Sequence, residues 1–389
     1  TEIFIFSTGK SIKQNEASPE FETPCVRYGE LYHMYDEVIT KVVNKTNLDK
    51  SELTFSQGNE ILLPSAGEDS MDIGSASALT IKNVAIGRTI NILRPLMTNV
   101  YSQIYVAYHI NHKLKKDISK LAKGVSISNV YNSDLKTLEI TLPTLPEQQK
   151  IATFLTAVDE KLQALKQKKS LLEQYKKGVM QRIFANRGRD AINCVFTDDN
   201  GNAFPDWEEK KLGEVLSVPD KVKPKTINKN KLLTVKLHLK GLFKNESTDG
   251  LSIGSTNYFI RKEGQFIYGK QNLFNGAFGI IPKEFDGFLT SGDVPALDID
   301  FSKINSHFLF CFLGRKTFYK KLEEIASGSG SKRIHESVFL NIEILIPCLS
   351  EQTKIANFLS AIDEKINQCQ AQITSTAVWK KGLLQKMFV

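Results

Sequence analysis

At 389 residues, 41% of them apolar, the chain is long enough for two or more packed domains. It has no run of 18 apolar residues and no basic-then-apolar start, so neither a membrane span nor an export signal is expected. Its five cysteines are odd in number and scattered, which argues against disulfides and zinc and for a reducing cytoplasm, while a net charge of +8 favours a polyanionic partner.

Residues 1–143 mix β-rich runs, NEILLP (59–64) and INILRP (90–95), with turn signals, and read as one domain of mixed α/β structure. Thr8-Gly9-Lys10-Ser11 resembles the end of a phosphate-binding loop, but Phe4 stands where the first glycine is required. His109 and His112 are three apart, with no carboxylate or cysteine nearby in sequence to complete a metal set. Glycine-flanked polar stretches at 65–75 and 122–128 are candidates for reading bases. Glycine allows close backbone approach, and Lys123, Ser126 and Ser128 supply polar groups.

Residues 144–185 predict a long helical spacer. Pro146 and Glu147 mark its start. Ile151, Val158, Leu165, Leu172 and Val179 recur every seven residues. A second track, Leu155, Leu162 and Ile183, is interrupted by Lys169 and Lys176. Such a helix would be roughly 55–60 Å long. Phe154 and Tyr175 fall off the seam, and Lys176-Lys177-Gly178 reads as a turn.

Residues 186–205 read as a linker. A second mixed domain, 206–347, opens on Trp207 and Leu212-Gly213 and carries GQFIYG (264–269) and GIIP (279–282). The run Lys221 to Lys240 holds seven lysines and no acid. It is either a solvated face or a phosphate strip led by Lys221, Lys223 and Lys225. Lys270, Gln271 and Asn272, then Lys332 and Arg333, lie in further glycine-flanked stretches suited to base edges. Pro205-Asp206 with Glu208 and Lys210 has nuclease-like letters too close together for a metal site. No Asn-Pro-Pro-Tyr methyl-transfer motif occurs, so a non-catalytic reader is the better reading.

Residues 348–389 repeat the helix. Glu139 to Phe184 and Glu343 to Phe388 align without a gap at an offset of 204, with 20 of 46 positions identical. The strand-like EITLP and EILIP precede the two helices. The second helix has tracks Ile355, Ile362, Cys369, Thr376, Leu383 and Leu359, Ile366, Ile373, Met387. Neither helix can bury its seam alone, and the obvious partner is the other copy, packed antiparallel. Upstream, Gly124 falls on Gly328 and Gly9 on Gly213 at the same offset. Phe154 with Phe358, and Tyr175 with Trp379, repeat off the seam and suggest one partner docked twice.

At LPEQQKIATFLTAVDEKL and LSEQTKIANFLSAIDEKI the chain resembles the specificity (S) subunit of type I restriction–modification systems. The resemblance spans the chain, although only the helices carry specific motifs, and the first half lacks a match to Trp207. It implies an α+β fold with a pseudo-two-fold internal repeat. Two target recognition domains would be separated by two long antiparallel coiled-coil helices. Each domain would read half of an asymmetric bipartite target in double-stranded DNA. The helices would act as a ruler and dock two methyltransferase (M) subunits, and restriction (R) subunits would join. The chain would bind no cofactor itself; S-adenosylmethionine, ATP and Mg would sit on partners. The alternatives are a coiled-coil scaffold without sequence-specific DNA binding, and a stand-alone nuclease or methyltransferase.

Overall fold

A computed structural model describes residues 2–124, 127–184, 196–246, 256–328 and 330–388. They form two compact units, 1–167 with 370–389, and 168–369. Each unit thus contains one globular region and a part of both long helices.

In unit 1 the chain lays down β1 (Phe4–Thr8), β2 (Val38–Ile39), β3 (Glu60–Pro64), β4 (Ser77–Leu79) and β5 (Ile90–Pro95). They make one sheet in the order β1-β5-β3-β4-β2, antiparallel except for β4 with β2. The apolar runs expected at 59–64 and 90–95 are its central strands, which is why both read as nearly continuous hydrophobics. A second four-stranded sheet joins Lys45–Thr46, Thr23–Val26, Lys82–Ile86 and Phe55–Gln57. Helix α1 (Gln103–His109) follows, N-capped by Ser102, and packs Tyr105, Val106 and Tyr108 into the core. Helix α2 (Leu145–Ile183) starts here and ends in unit 2.

Unit 2 contains β6 (Glu208–Lys211), β7 (Leu216–Ser217), β8 (Phe266–Tyr268), β9 (Phe278–Ile280), β10 (Ala296–Ile299), helix α3 (Ser306–Leu313), β11 (Glu343–Ile346) and helix α4 (Leu349–Met387). Its central sheet runs β7-β10-β8-β9, all antiparallel, and β6 pairs separately with β11. Asn305 caps α3 by accepting from the His307 and Phe308 N–H groups, both at 3.0 Å. This unit has the more aromatic core, with Phe266, Tyr268, Phe278, Phe308 and Phe339 at its centre.

Both long helices form, each of 39 residues. In unit 1 the N-terminal part of α2 meets the C-terminal part of α4; in unit 2 the opposite parts meet. That is antiparallel pairing. Leu155, Val158, Leu162, Ile355, Leu359, Ile362 and Cys369 of the expected tracks are buried. Lys176-Lys177-Gly178 and its copy are not turns, because both lie inside the helices. Nor is all of 186–205 a loose linker. Thr197 bridges Ala203, and Lys354 of α4 holds this turn through Thr197 O (2.8 Å) and Asp199 (2.7 Å).

The pairing of Gly9 with Gly213 fails. Strand β1 lies beside β5 as β7 lies beside β10, so the two strands correspond. Gly9 follows its strand while Gly213 precedes its own. The constant offset belongs to the helices and the loops just before them.

Candidate nucleic-acid and subunit interfaces

The two glycine loops before the helices are built alike. Lys123 and Asn129 exchange backbone hydrogen bonds at 2.9 and 2.8 Å, and Ser327 and Arg333 do so at 3.0 and 2.8 Å. Gly124 has φ +127° and Gly328 φ +126°, a region only glycine enters cheaply. A Cβ at either would strike the carbonyl of Ile127 or Ser331. The buried Val130 and Ile334 root the loops, donating to Ser65 O and Lys270 O, both at 3.0 Å. Ser126 lies outside the described residues. Ser128 is half-exposed at the base of its loop.

Carboxylates meet most of the basic candidates. Lys123 pairs with Asp134 at 2.7 Å, Lys332 with Glu323 at 3.2 Å and Arg333 with Asp293 at 3.3 Å. Hydrogen bonds from Lys123 and from the Tyr131 backbone hold the Asp134 carboxyl below its usual value. Lys270 pairs with Glu336 at 2.9 Å in a partly buried site. Burial pushes the Glu336 carboxyl up, but the Lys270 hydrogen bond and the charges of Lys270 and Lys221 outweigh it, so the group lies low. Turning the Gln271 amide so that its oxygen faces Arg333 lets it accept from Nη2 at 2.7 Å and Nε at 3.2 Å. Asn272 spends its backbone oxygen on the Asn275 and Ala277 N–H groups, shaping the turn. The fold therefore gathers Lys221, Lys270, Gln271 and Arg333 around Glu336 and Asp293. Lys223 and Lys225 are exposed and outside regular structure.

Along the helices the duplicated residues repeat their jobs. Gln148 and Gln352 are each 1% exposed. Each donates its amide to a proline carbonyl, Pro143 (2.8 Å) or Pro347 (2.9 Å). Each also accepts an N–H from the residue capping the neighbouring helix, Ser102 (3.0 Å) or Asn305 (2.8 Å). One side chain thus locks a long helix to its globular region. The sequence carries a signal for it, since Glu-Gln recurs at both helix starts, but the pattern alone does not show that the glutamine is buried.

The interruption at Lys176 and its copy Lys380 is an ion pair between helices. Lys176 reaches Asp363 at 2.6 Å, and Lys380 reaches Asp159 at 2.5 Å. In unit 1 Tyr108 donates to Asp159, Lys380 lies 3.6 Å from Glu37, and His112 Nε2 lies 3.1 Å from Glu37. Burial alone would raise the Glu37 carboxyl. The His112 hydrogen bond and the Lys380 charge overcome it and hold the group at about 2.

Each helix ends on a buried phenylalanine. Phe184 packs against Phe308, Phe312 and Trp207, with the Arg315 guanidinium 4.9 Å from its ring centre. Phe388 packs against Tyr105, His109 and His112. The two spaced histidines are therefore an aromatic seat. Among the described residues no cluster of three or more His, Cys, Asp or Glu could hold a metal, and no helix is long and apolar enough to cross a membrane. Burial raises the Cys25 and Cys311 thiols to about 12, which suits packing and not reactivity.

Of the docking candidates, Phe154 and Trp379 come together in unit 1 as an edge-on pair with ring centres 5.9 Å apart, 43% and 51% exposed. In unit 2 Tyr175 is 54% exposed, and Phe358, 37% exposed, leans on Phe196 at 5.8 Å.

A family model described as the type I restriction modification DNA specificity domain matches residues 1–174 and again 205–375. The chain is 26% identical over 353 residues to the type I restriction enzyme MjaVIII specificity subunit of Methanocaldococcus jannaschii, covering 86% of this chain and 78% of that one. It is 21% identical over 392 residues to the StySPI specificity subunit of Salmonella potsdam, covering 94% and 81%. The fold is similar to the crystal structure of a type I restriction-modification system S subunit from M. genitalium. The TM-score is 0.63 at 18% identity, over 100% of this chain and 94% of that one.

Proposed function

The chain belongs to the type I restriction modification DNA specificity family, and from that premise we propose that each of its globular regions reads one half of a bipartite DNA target. The observation that carries this reading is the repeat. Helices with matching staples, ion pairs and terminal phenylalanines are attached to globular regions whose sheets differ. Equal helices suit a fixed spacing, and unequal domains suit two unlike half-sites.

In this reading α2 and α4 are the ruler. The pair Phe154–Trp379, and Tyr175 with Phe358, are the docking points for two methyltransferase subunits. Aromatic residues left half-exposed on a helix surface are the usual anchors of such contacts. Phosphate contacts supply affinity while base contacts supply choice. Lys123 and Ser128 serve one half-site. Lys221, Lys223, Lys225, Lys270, Gln271, Asn272, Lys332 and Arg333 serve the other. The chemistry belongs to partners: S-adenosylmethionine on the methyltransferase subunits, ATP and Mg on restriction subunits. A flipped base would then be presented to the methyltransferase.

The test is an insertion of four residues, about one helical turn, after Lys166 and after Gln370, which are equivalent positions. Methylation-aware sequencing of cells carrying the chain and its methyltransferase should show the unread gap lengthened, with both half-sites unchanged. An unchanged gap would refute the ruler. The carboxylates beside Lys123, Lys270, Lys332 and Arg333 favour a second reading, a coiled-coil scaffold that reads no sequence. Equal binding of the assembled complex to target and random duplex would select it.

A further inference from the structure

Three segments of unit 2 converge on one guanidinium. The segment 269–272 follows β8, and 291–294 precedes β10; the Lys270 N–H donates to Asp293 O at 2.9 Å and joins them. The glycine loop 327–334 joins the first of these through Ile334 N–H and Lys270 O. Beneath, Arg261 is 4% exposed and donates to Thr290 Oγ1 at 2.6 Å and Val294 O at 3.0 Å, pinning both ends of the turn that carries Asp293. Arg333 stands where the three segments meet.

Arg333 is gripped along one side. The turned Gln271 oxygen takes Nε and Nη2 together, which uses the Nη2 hydrogen facing Nε and leaves the one facing Nη1. Asp293 Oδ1 lies 3.3 Å from Nη1 as an ion pair, and 39% of the arginine side chain stays exposed. Among the described residues no hydrogen bond takes the end-on pair of N–H groups on Nη1 and Nη2. A fixed fork of two parallel donors is left over. At the helix offset Arg333 corresponds to Asn129, whose amide donates to Ile127 O at 3.2 Å, so the fork belongs to one unit.

Chemistry sets what such a fork fits. A guanidinium donates and never accepts. In the major groove guanine offers two adjacent acceptors, N7 and O6. Adenine and cytosine each place a donor there, and thymine offers one acceptor beside a methyl group. A phosphate also takes two donors, but the Asp293 charge beside the cation weakens the pull on an anion and costs a neutral base edge little. A side chain already held also loses less rotamer freedom on binding. Resting on the reading that this globular region serves one half-site, we infer that Arg333 reads a guanine in that half-site. Gln271 and Asp293 are its positioning residues.

The test uses the chain assembled with its methyltransferase subunits, its motif first fixed by methylation-aware sequencing. In duplex competition, Arg333→Ala should make one G·C position of one half-site indifferent, a loss of discrimination of about 5- to 150-fold, with the other half-site unchanged. Gln271→Leu should relax the same position, whereas Gln271→Glu, which keeps an acceptor for the guanidinium, should retain it. Asp293→Ala should relax it too and raise affinity for random duplex. Placing 7-deazaguanine, which lacks the N7 acceptor, at that position should weaken the parent and weaken Arg333→Ala no further. Should Arg333→Ala misfold, the 7-deazaguanine scan of the parent and of Gln271→Leu decides. A half-site without a G·C pair, relaxation at an A·T pair, or a uniform loss on every duplex with the salt slope lowered by about one would each overturn the assignment and leave bipartite reading standing. Equal binding of the parent complex to every duplex would remove that reading and the assignment with it.

Discussion

The long helices and the globular regions obey different rules. At three pairs of positions related by the helix offset, the residue and its job recur. Gln148 and Gln352 staple, Asp159 and Asp363 accept a lysine, and Phe184 and Phe388 plug the end. The globular regions share a strand order near the centre of one sheet, and the second four-stranded sheet of unit 1 has its counterpart in unit 2 as two strand pairs, 233–235 with 242–244 and 258–260 with 289–291, joined by the Leu232–Leu289 bridge, while the sequences of the two regions diverge. On the proposed reading, parts that must match each other are held equal, and parts that would face different half-sites are free to differ. The two end plugs test the equality most severely. Phe184→Ala and Phe388→Ala should each cost about 3–5 kcal/mol, the range for emptying a buried aromatic site. Chemical denaturation should show losses of similar size. A loss confined to one variant would mean that the two ends are not equivalent.

Next in size is an asymmetry. Glu37 joins the ion cluster of unit 1, while among the described residues the Lys176–Asp363 pair of unit 2 has no such third carboxylate in its ion pair. Its folded pKa of about 2 lies below the ordinary 4.5, so its stabilisation is complete above pH 4.5 and lost as pH falls toward 2. The linkage is worth up to about 3 kcal/mol. Glu37→Gln should flatten the fall in stability between pH 4.5 and 2. A profile parallel to that of the parent would show that the carboxylate is not held low in the folded protein.

The staples come third. Gln148→Ala and Gln352→Ala each leave a buried N–H and a proline carbonyl without partners, a cost of about 1–3 kcal/mol. Thermal melts of both variants check it, and Gln→Glu, which keeps the acceptor but loses the donor, should fall between alanine and parent.

The helices were legible because a period of seven over 39 residues leaves little choice. The strands at 60–64 and 90–95 were legible because central strands are apolar on both faces. In sequence the lysine in the seam reads as a break; in the structure it is one half of an ion pair between the helices. Its partner Asp363 lies 187 residues away, beyond any local pattern. The glycine loops were legible as loops, since +127° at Gly124 demands glycine. What faces Lys123, Lys270 and Arg333 was not, because carboxylates at Asp134, Glu336 and Asp293 arrive by tertiary folding.

Those loop cations give the smallest effect on folding and the sharpest contrast in function. Lys123 and Lys332 are exposed, and an exposed ion pair contributes little to stability. Alanine at either should leave the melting temperature unchanged within error. On DNA their effects should separate, because each lies in a different unit. If each loop serves its own half-site, Lys332→Ala with Arg333→Ala should weaken or relax one half of the methylated motif and leave the other intact. Lys123→Ala should do the reverse. Loss spread evenly over both halves, with the motif unchanged, would mean that the loops hold phosphates and that the reading is done elsewhere. That result would extend the rule of the helices to the loops: matched geometry for a task that does not depend on sequence.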